Sequence, residues 1–178
     1  MPDTNSDFDH ALSICRKIFA DKLIDYGTSW RIMRTQAVTD QLFIKAKRIR
    51  TIQNTGKSAV GEGILPEFIA IINYGIIGLI QLELGCADHK DMNATEALNF
   101  YDRYAKETKE LLIEKNCDYD EAWRSMRTIS YVDFILTKIE RIKEIEDNNG
   151  KTKVSEGIDS NYKDIINYAI FGVIKLTE

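Results

Sequence analysis

The strongest constraint on this chain is that it repeats itself. An offset of 93 positions pairs Asp25-Tyr26 with Asp118-Tyr119 and Trp30-Arg31 with Trp123-Arg124. It also pairs Met33-Arg34-Thr35 with Met126-Arg127-Thr128, Lys45 with Lys138 and Arg48 with Arg141. One residue enters near Gly150, and an offset of 94 then pairs Glu62 with Glu156, Asn73-Tyr74 with Asn167-Tyr168, and Gly78 with Gly172. Polar and aromatic identities kept in order over such a length mark a tandem duplication.

Each copy reads as helices, and no segment alternates with the period of a strand. A first helix over Phe8 to Ile24, behind a capping box at Ser6-x-x-Asp9, matches one over Ala94 to Lys115 behind Asn93-x-x-Glu96. A short turn carrying the Trp follows, with Asp25 and Asp118 as its expected caps. An amphipathic helix spans Val38 to Gln53 and, in the second copy, Tyr131 to Glu146. The closing helix spans Pro66 to Leu84 and Ser160 to Leu176, with Pro66 suited to a first turn. The expected fold is all-α: a tandem-duplicated helical repeat forming a pseudo-twofold bundle. Residues 1–84 make the first repeat, 85–93 a linker and 94–178 the second repeat, together building one compact domain. The closing helices belong at its centre, where Gly75, Gly78, Ala169 and Gly172 permit close approach.

Composition narrows the function classes. A net charge of -4 argues against direct nucleic-acid binding, which calls for a basic face. It leaves room for a small anion held by local cations. Three scattered cysteines, no Cys-x-x-Cys and no signal peptide point to a cytoplasmic protein with reduced thiols. The apolar run from Phe68 to Leu84 is broken by Asn73, Gly75, Gln81 and Glu83, so it reads as a core helix and no membrane partner is expected. Because the duplication already supplies a dimer within one chain, a monomer and a homodimer both fit.

Chemistry-bearing residues fall on two helices of each copy. On the amphipathic helix, Leu42, Ala46 and Ile49 form an apolar stripe, repeated as Ile135, Ile139 and Ile142. Lys45 and Lys138 point into that stripe, and Arg48 and Arg141 sit on its edge. On the closing helix Asp164, Asn167 and Tyr168 share one face, as do Glu67, Asn73 and Tyr74 in the first copy, where Ala70 stands in the acid's place. Glu62 and Glu156 precede that helix, and Arg34 and Arg127 follow the Trp turn. Two readings remain open. In one, Lys and Arg take phosphate oxygens while the acids hold Mg²⁺. In the other, Lys45–Glu67 and Lys138–Asp164 are internal ion pairs that fix helix register.

The Asp-Tyr-x-x-x-Trp-Arg box, the Lys-x-x-Arg pair and the acid-x-x-Asn-Tyr closing helix resemble the nucleotide modification associated domain one family, one unit per half. The closing helix is also similar to that of the MazG-like all-α nucleotide pyrophosphatases, which hydrolyse nucleoside triphosphates with Mg²⁺. That group places Glu-x-x-Glu where this chain has Lys-x-x-Arg. The resemblance implies a nucleotide-binding protein of nucleotide metabolism, and a Mg²⁺-dependent pyrophosphohydrolase if it is an enzyme. A nucleotide or other phosphate-bearing ligand would then lie between the amphipathic and closing helices, its phosphates on Arg127, Lys138 and Arg141. Asp164 and Glu156 would act as the catalytic acids and metal ligands. Arg34, Lys45, Arg48, Asn73 and Tyr74, with Glu62 and Glu67 as metal ligands, would form the matching first site, and Asn167 and Tyr168 would contact ligand in the second. The alternative is a non-enzymatic ligand sensor or helical assembly module. The displaced acid makes the two half-sites inequivalent, with Asp164 expected to matter more to ligand than Glu67.

Overall fold

The computed structural model describes residues 3–56 and 63–178. Among them are six α-helices and no strand: α1 (Thr4–Tyr26), α2 (Thr35–Thr55), α3 (Leu65–Leu84), α4 (Ala94–Tyr119), α5 (Thr128–Asp147) and α6 (Ile158–Thr177). A single 3-10 turn carrying the Trp lies at Ser29–Ile32 and again at Ala122–Ser125. The order of helix, Trp turn, helix and helix therefore occurs twice, as the repeat requires.

Local chemistry sets the ends, with two corrections to the sequence reading. Asn93 and Glu96 form the expected reciprocal capping box of α4. α1 instead starts from Asp3, whose side chain accepts from the Asn5 backbone N–H, so Ser6 lies inside the first turn. Asp25 and Asp118 do not cap the Trp turns, because α1 and α4 run through them to Tyr26 and Tyr119. In the second repeat Glu121 works at that corner. Its carboxylate accepts from Trp123 Nε1 at 3.0 Å, Asn116 Nδ2 at 3.1 Å and the Thr4 backbone N–H at 3.3 Å.

α3 and α6 pack against each other at the centre, with α2 and α5 on one side and α1 and α4 completing the bundle. Apolar composition drives α3 to the middle. It is the one described helix long and apolar enough to cross a membrane, and most of it is buried within the bundle. The central crossing depends on missing side chains. A Cβ on Gly172 would lie 2.7 Å from the Phe68 ring, and one on Gly78 would lie 3.0 Å from the Tyr162 ring. Phe68 and Tyr162 are repeat counterparts, so each central helix lays a ring over the other's glycine. A Cβ on Gly75 would meet Ile166 at 2.6 Å, which extends the same close contact.

The arginine of the first Trp-Arg box ties its turn to the end of α3 and the linker, and the arginine of the second ties one repeat to the other. Buried Arg31 donates to Asp91 at 2.9 Å, to the Gly85 carbonyl at 2.7 Å and to Gln81 Oε1. Arg124 donates to Asp7 of α1 at 2.7 Å. Behind the first turn, Gln81 donates to the Arg31 and Met33 carbonyls at 2.9 and 2.6 Å. Behind the second, its counterpart Lys175 donates to the Arg124 carbonyl. These turns are fixed by buried polar bonds as well as by their tryptophans.

Candidate ligand site

The embedded asparagines have the same partner in both repeats. Asn73 Nδ2 donates to the Cys15 carbonyl of α1 at 3.1 Å, and Asn167 Nδ2 donates to the Thr108 carbonyl of α4 at 3.2 Å. Cys15 and Thr108 are counterparts at the offset of 93. Each Asn thus ties the closing helix to the first helix of its own repeat. The acceptor ends differ. Tyr101 Oη donates to Asn73 Oδ1 at 2.7 Å, whereas buried Asn167 Oδ1 has no partner. The counterpart of Tyr101 is Phe8, which has no hydroxyl.

The closing-helix acids are both buried and both paired. Asp164 takes Lys115 Nζ at 2.7 Å and Lys138 Nζ at 2.9 Å, one on each carboxylate oxygen. Glu67 takes Arg48 at 2.5 Å and Lys45 at 3.8 Å. Lys45–Glu67 and Lys138–Asp164 are therefore internal pairs. Lys115, a member of this cluster that no motif marks, is paired with Lys22 by the offset of 93. Burial pulls the Lys115 ammonium down. The hydrogen bond and charge of Asp164, with the charge of Glu156, outweigh that and raise its pKa above the ordinary lysine value. Burial, then the charge of Asp164, raises the Tyr168 phenol above its usual range.

The remaining residues singled out from the sequence are more dispersed. Arg34 and Arg127 are the exposed N-cap residues of α2 and α5, and neither makes an ion pair among the described residues. Arg141 is exposed on α5, and its charge reaches Tyr168. Glu156 is exposed in the loop before α6, and Glu62 lies outside the described residues. Tyr168 packs its ring at 5.3 Å from Phe134 and 6.3 Å from Phe171. No group of three or more His, Cys, Asp or Glu suited to a metal ion occurs among the described residues. Both Asp164 oxygens are committed to ammonium groups, so a Mg²⁺ there would have to displace two cations. The described donors do not fit that ion.

Beside the first Trp turn lies a cleft of about 480 Å³. α1 contributes Ile18, Phe19, Lys22, Leu23 and Tyr26 to its wall, and the turn contributes Ser29, Trp30 and Met33. α3 contributes Pro66, Ile69, Ala70, Asn73, Tyr74 and Ile77. The walls are mainly apolar and aromatic, with Asn73, Ser29 and the Lys22 side chain as polar groups. Trp30 is half-buried, 6.2 Å from the Phe19 ring, and its indole N–H makes no hydrogen bond among the described residues. In the second repeat larger side chains stand at the corresponding positions. Phe171, counterpart of Ile77, stacks on Trp123 with centroids 4.4 Å apart and planes 6° from parallel. Asp164, counterpart of Ala70, joins its two lysines.

A family model for nucleotide modification associated domain 1 matches residues 22–82 and again 115–176, more than half of the chain. The chain belongs to the nucleotide modification associated domain 1 family. Its two family units each begin on the lysine that faces the closing helix, Lys22 or Lys115, and each ends in the central helix of its repeat. The first unit thereby includes Lys22, Leu23 and Tyr26 of the α1 wall, the Trp turn and all of the α3 wall of the cleft. No curated protein and no solved structure matches the chain.

Proposed function

We propose that this protein binds a small molecule of the nucleotide class in the cleft of its first repeat. One observation carries the reading: a cavity of about 480 Å³ bounded by Phe19, Tyr26, Trp30 and Tyr74 and reached by one lysine. Its size is that of a small-molecule site, concave and apolar with a few polar groups to fix orientation. Aromatic walls suit a flat heterocycle, because any base presents a π-face for stacking. The family's printed description, which associates it with nucleotide modification, points the same way.

The internal pairing of Glu67 and Asp164 supports a second role for the motif residues, fixing the register of the bundle. The two roles are compatible: the paired acids hold the scaffold and the cleft takes the ligand. A binding protein or sensor follows more directly from this arrangement than a hydrolase, since the acids that would activate water are held by cations.

Thermal denaturation with nucleosides and nucleotides tests the proposal, since a ligand of the native state raises the melting temperature. A shift with at least one of them, lost in Trp30→Ala, is the expected result. No shift with any of them would overturn it. Incubation of the same nucleotides with Mg²⁺ and analysis for pyrophosphate release tests the hydrolase reading separately.

A further inference from the structure

We infer that the second repeat carries, as its own side chains, the groups that the first repeat takes from its ligand: Asp164 stands where the ligand's anion binds and Phe171 where its flat ring stacks. This deepens the proposal above and rests on the first-repeat cleft being a ligand site. Three pairs of counterparts carry the inference. Lys22 and Lys45 correspond to Lys115 and Lys138, which both bind the Asp164 carboxylate, at 2.7 and 2.9 Å. In the first repeat Ala70 replaces that acid and lines the cleft together with Lys22. Lys22 makes no ion pair among the described residues, and Lys45 reaches Glu67 only at 3.8 Å, while Arg48 holds the other oxygen of that acid at 2.5 Å. The two lysines whose counterparts hold a carboxylate thus have an alanine in its place, with Lys22 on the cleft wall and Lys45 beside Glu67.

The ring end behaves alike. Phe171 lies flat on Trp123 at 4.4 Å, whereas Ile77 puts no ring on Trp30 and both residues line the cleft. Asp164 and Phe171 are two helical turns apart, about 10 Å along the axis. The ligand of the first repeat is accordingly a flat ring joined through a spacer to one anionic group. Its ring lies on Trp30, and its anion lies against Lys22 above Ala70. A nucleoside monophosphate has this layout, with base, sugar and phosphate in line. Lys22 supplies a charge-assisted hydrogen bond to the phosphate, and Asn73 stays bound to the Cys15 carbonyl as a wall.

Two measurements test the inference. In the first, AMP, GMP, CMP and UMP, the four matching nucleosides and inorganic phosphate are titrated by calorimetry into the full chain. At least one monophosphate should bind tenfold or more tighter than its nucleoside, with that difference lost in Lys22→Met. Equal binding of the two would overturn the inference while leaving the cleft as a ligand site. Failure of every probe to bind would instead remove the reading on which it rests. In the second, Ala70→Asp copies the second repeat into the first. It should raise the melting temperature by about 2–4 °C without any ligand and lower monophosphate affinity at least tenfold. The combined Ala70→Asp, Lys22→Met variant should lose the thermal gain. An Ala70→Asp variant that melts lower than the parent chain, or binds monophosphate unchanged, would overturn the inference.

Discussion

The two repeats share one backbone plan and differ in what fills the space beside the Trp turn. In the second, the ring of Phe171 and the carboxylate of Asp164 occupy it, and Trp123 has its indole N–H paired with Glu121 and Thr4. In the first, Ile77 and Ala70 leave a cleft and the Trp30 N–H makes no hydrogen bond among the described residues. A duplicated fold thus fills these two positions in one copy and leaves a concave surface in the other. The difference comes from side-chain size at two positions of the closing helix.

The largest effect expected from probing this asymmetry is at the Trp-Arg boxes. Arg31 is almost fully buried and serves Asp91, Gln81 and the Gly85 carbonyl, so Arg31→Ala strands several buried groups. We expect a loss of about 3 kcal/mol in urea unfolding, against about 1 kcal/mol for Arg124→Ala, whose guanidinium is less buried. Equal losses would mean that the two turns are held alike. Next come the acids. Asp164→Ala and Glu67→Ala should each cost about 2 kcal/mol, because each removes the shared partner of two cations whose tips still reach water. A silent Glu67→Ala would show that only the second acid is structural.

The fold is legible in the sequence by a short route and the cleft hardly at all. The repeat was visible because Trp30, Lys45, Asn73 and Gly78 recur as identities, and identity needs no knowledge of packing. The central helices followed from Gly75, Gly78 and Gly172, since small residues in an apolar helix have few other uses. Helix ends were less legible. Ser6 and Asp3 both suit a cap, and the choice between them depends on backbone conformation outside the helix. Charge in the sequence points to Asp164 and the second repeat. The cleft is marked instead by what the first repeat lacks, an acid at Ala70 and a ring at Ile77. Lys115 was open to discovery, since Lys22 is its counterpart, but a lysine four residues from a helix end carries no signal until its partner is located.

A smaller effect would sharpen the comparison at the asparagines. Tyr101→Phe should cost about 1 kcal/mol by removing the donor to Asn73 Oδ1. Phe8 is the counterpart of Tyr101, on a helix that packs against α6, and Asn167 Oδ1 is buried without a partner. Phe8→Tyr should therefore stabilise the chain by about 1 kcal/mol in the same unfolding assay. A loss instead would mean that the repeat relation fails at that position.

The smallest effect concerns Glu146, whose counterpart is Gln53. It accepts from Thr39 at 3.0 Å, and burial raises its carboxyl above the ordinary glutamate value. The folded chain then holds that proton more tightly than the unfolded chain. Stability is lost as pH rises from the ordinary glutamate range through the raised pKa. Glu146→Gln should be more stable than the parent chain at pH 7 and show no such advantage at pH 4, read from paired melting curves. An advantage of equal size at both pH values would assign the gain to packing.

The rings that cross between α3 and α6 also set a timetable for synthesis. α3 begins at Leu65, but Tyr162, which covers Gly78, is made nearly one hundred codons later. At roughly 5–20 residues per second, the first repeat waits on the order of 5–20 s with the apolar flank of α3 bare to whatever surrounds the ribosome. A nascent chain of this design is exposed to aggregation and to chaperone capture in that interval, and slowing translation beyond α3 would lengthen it.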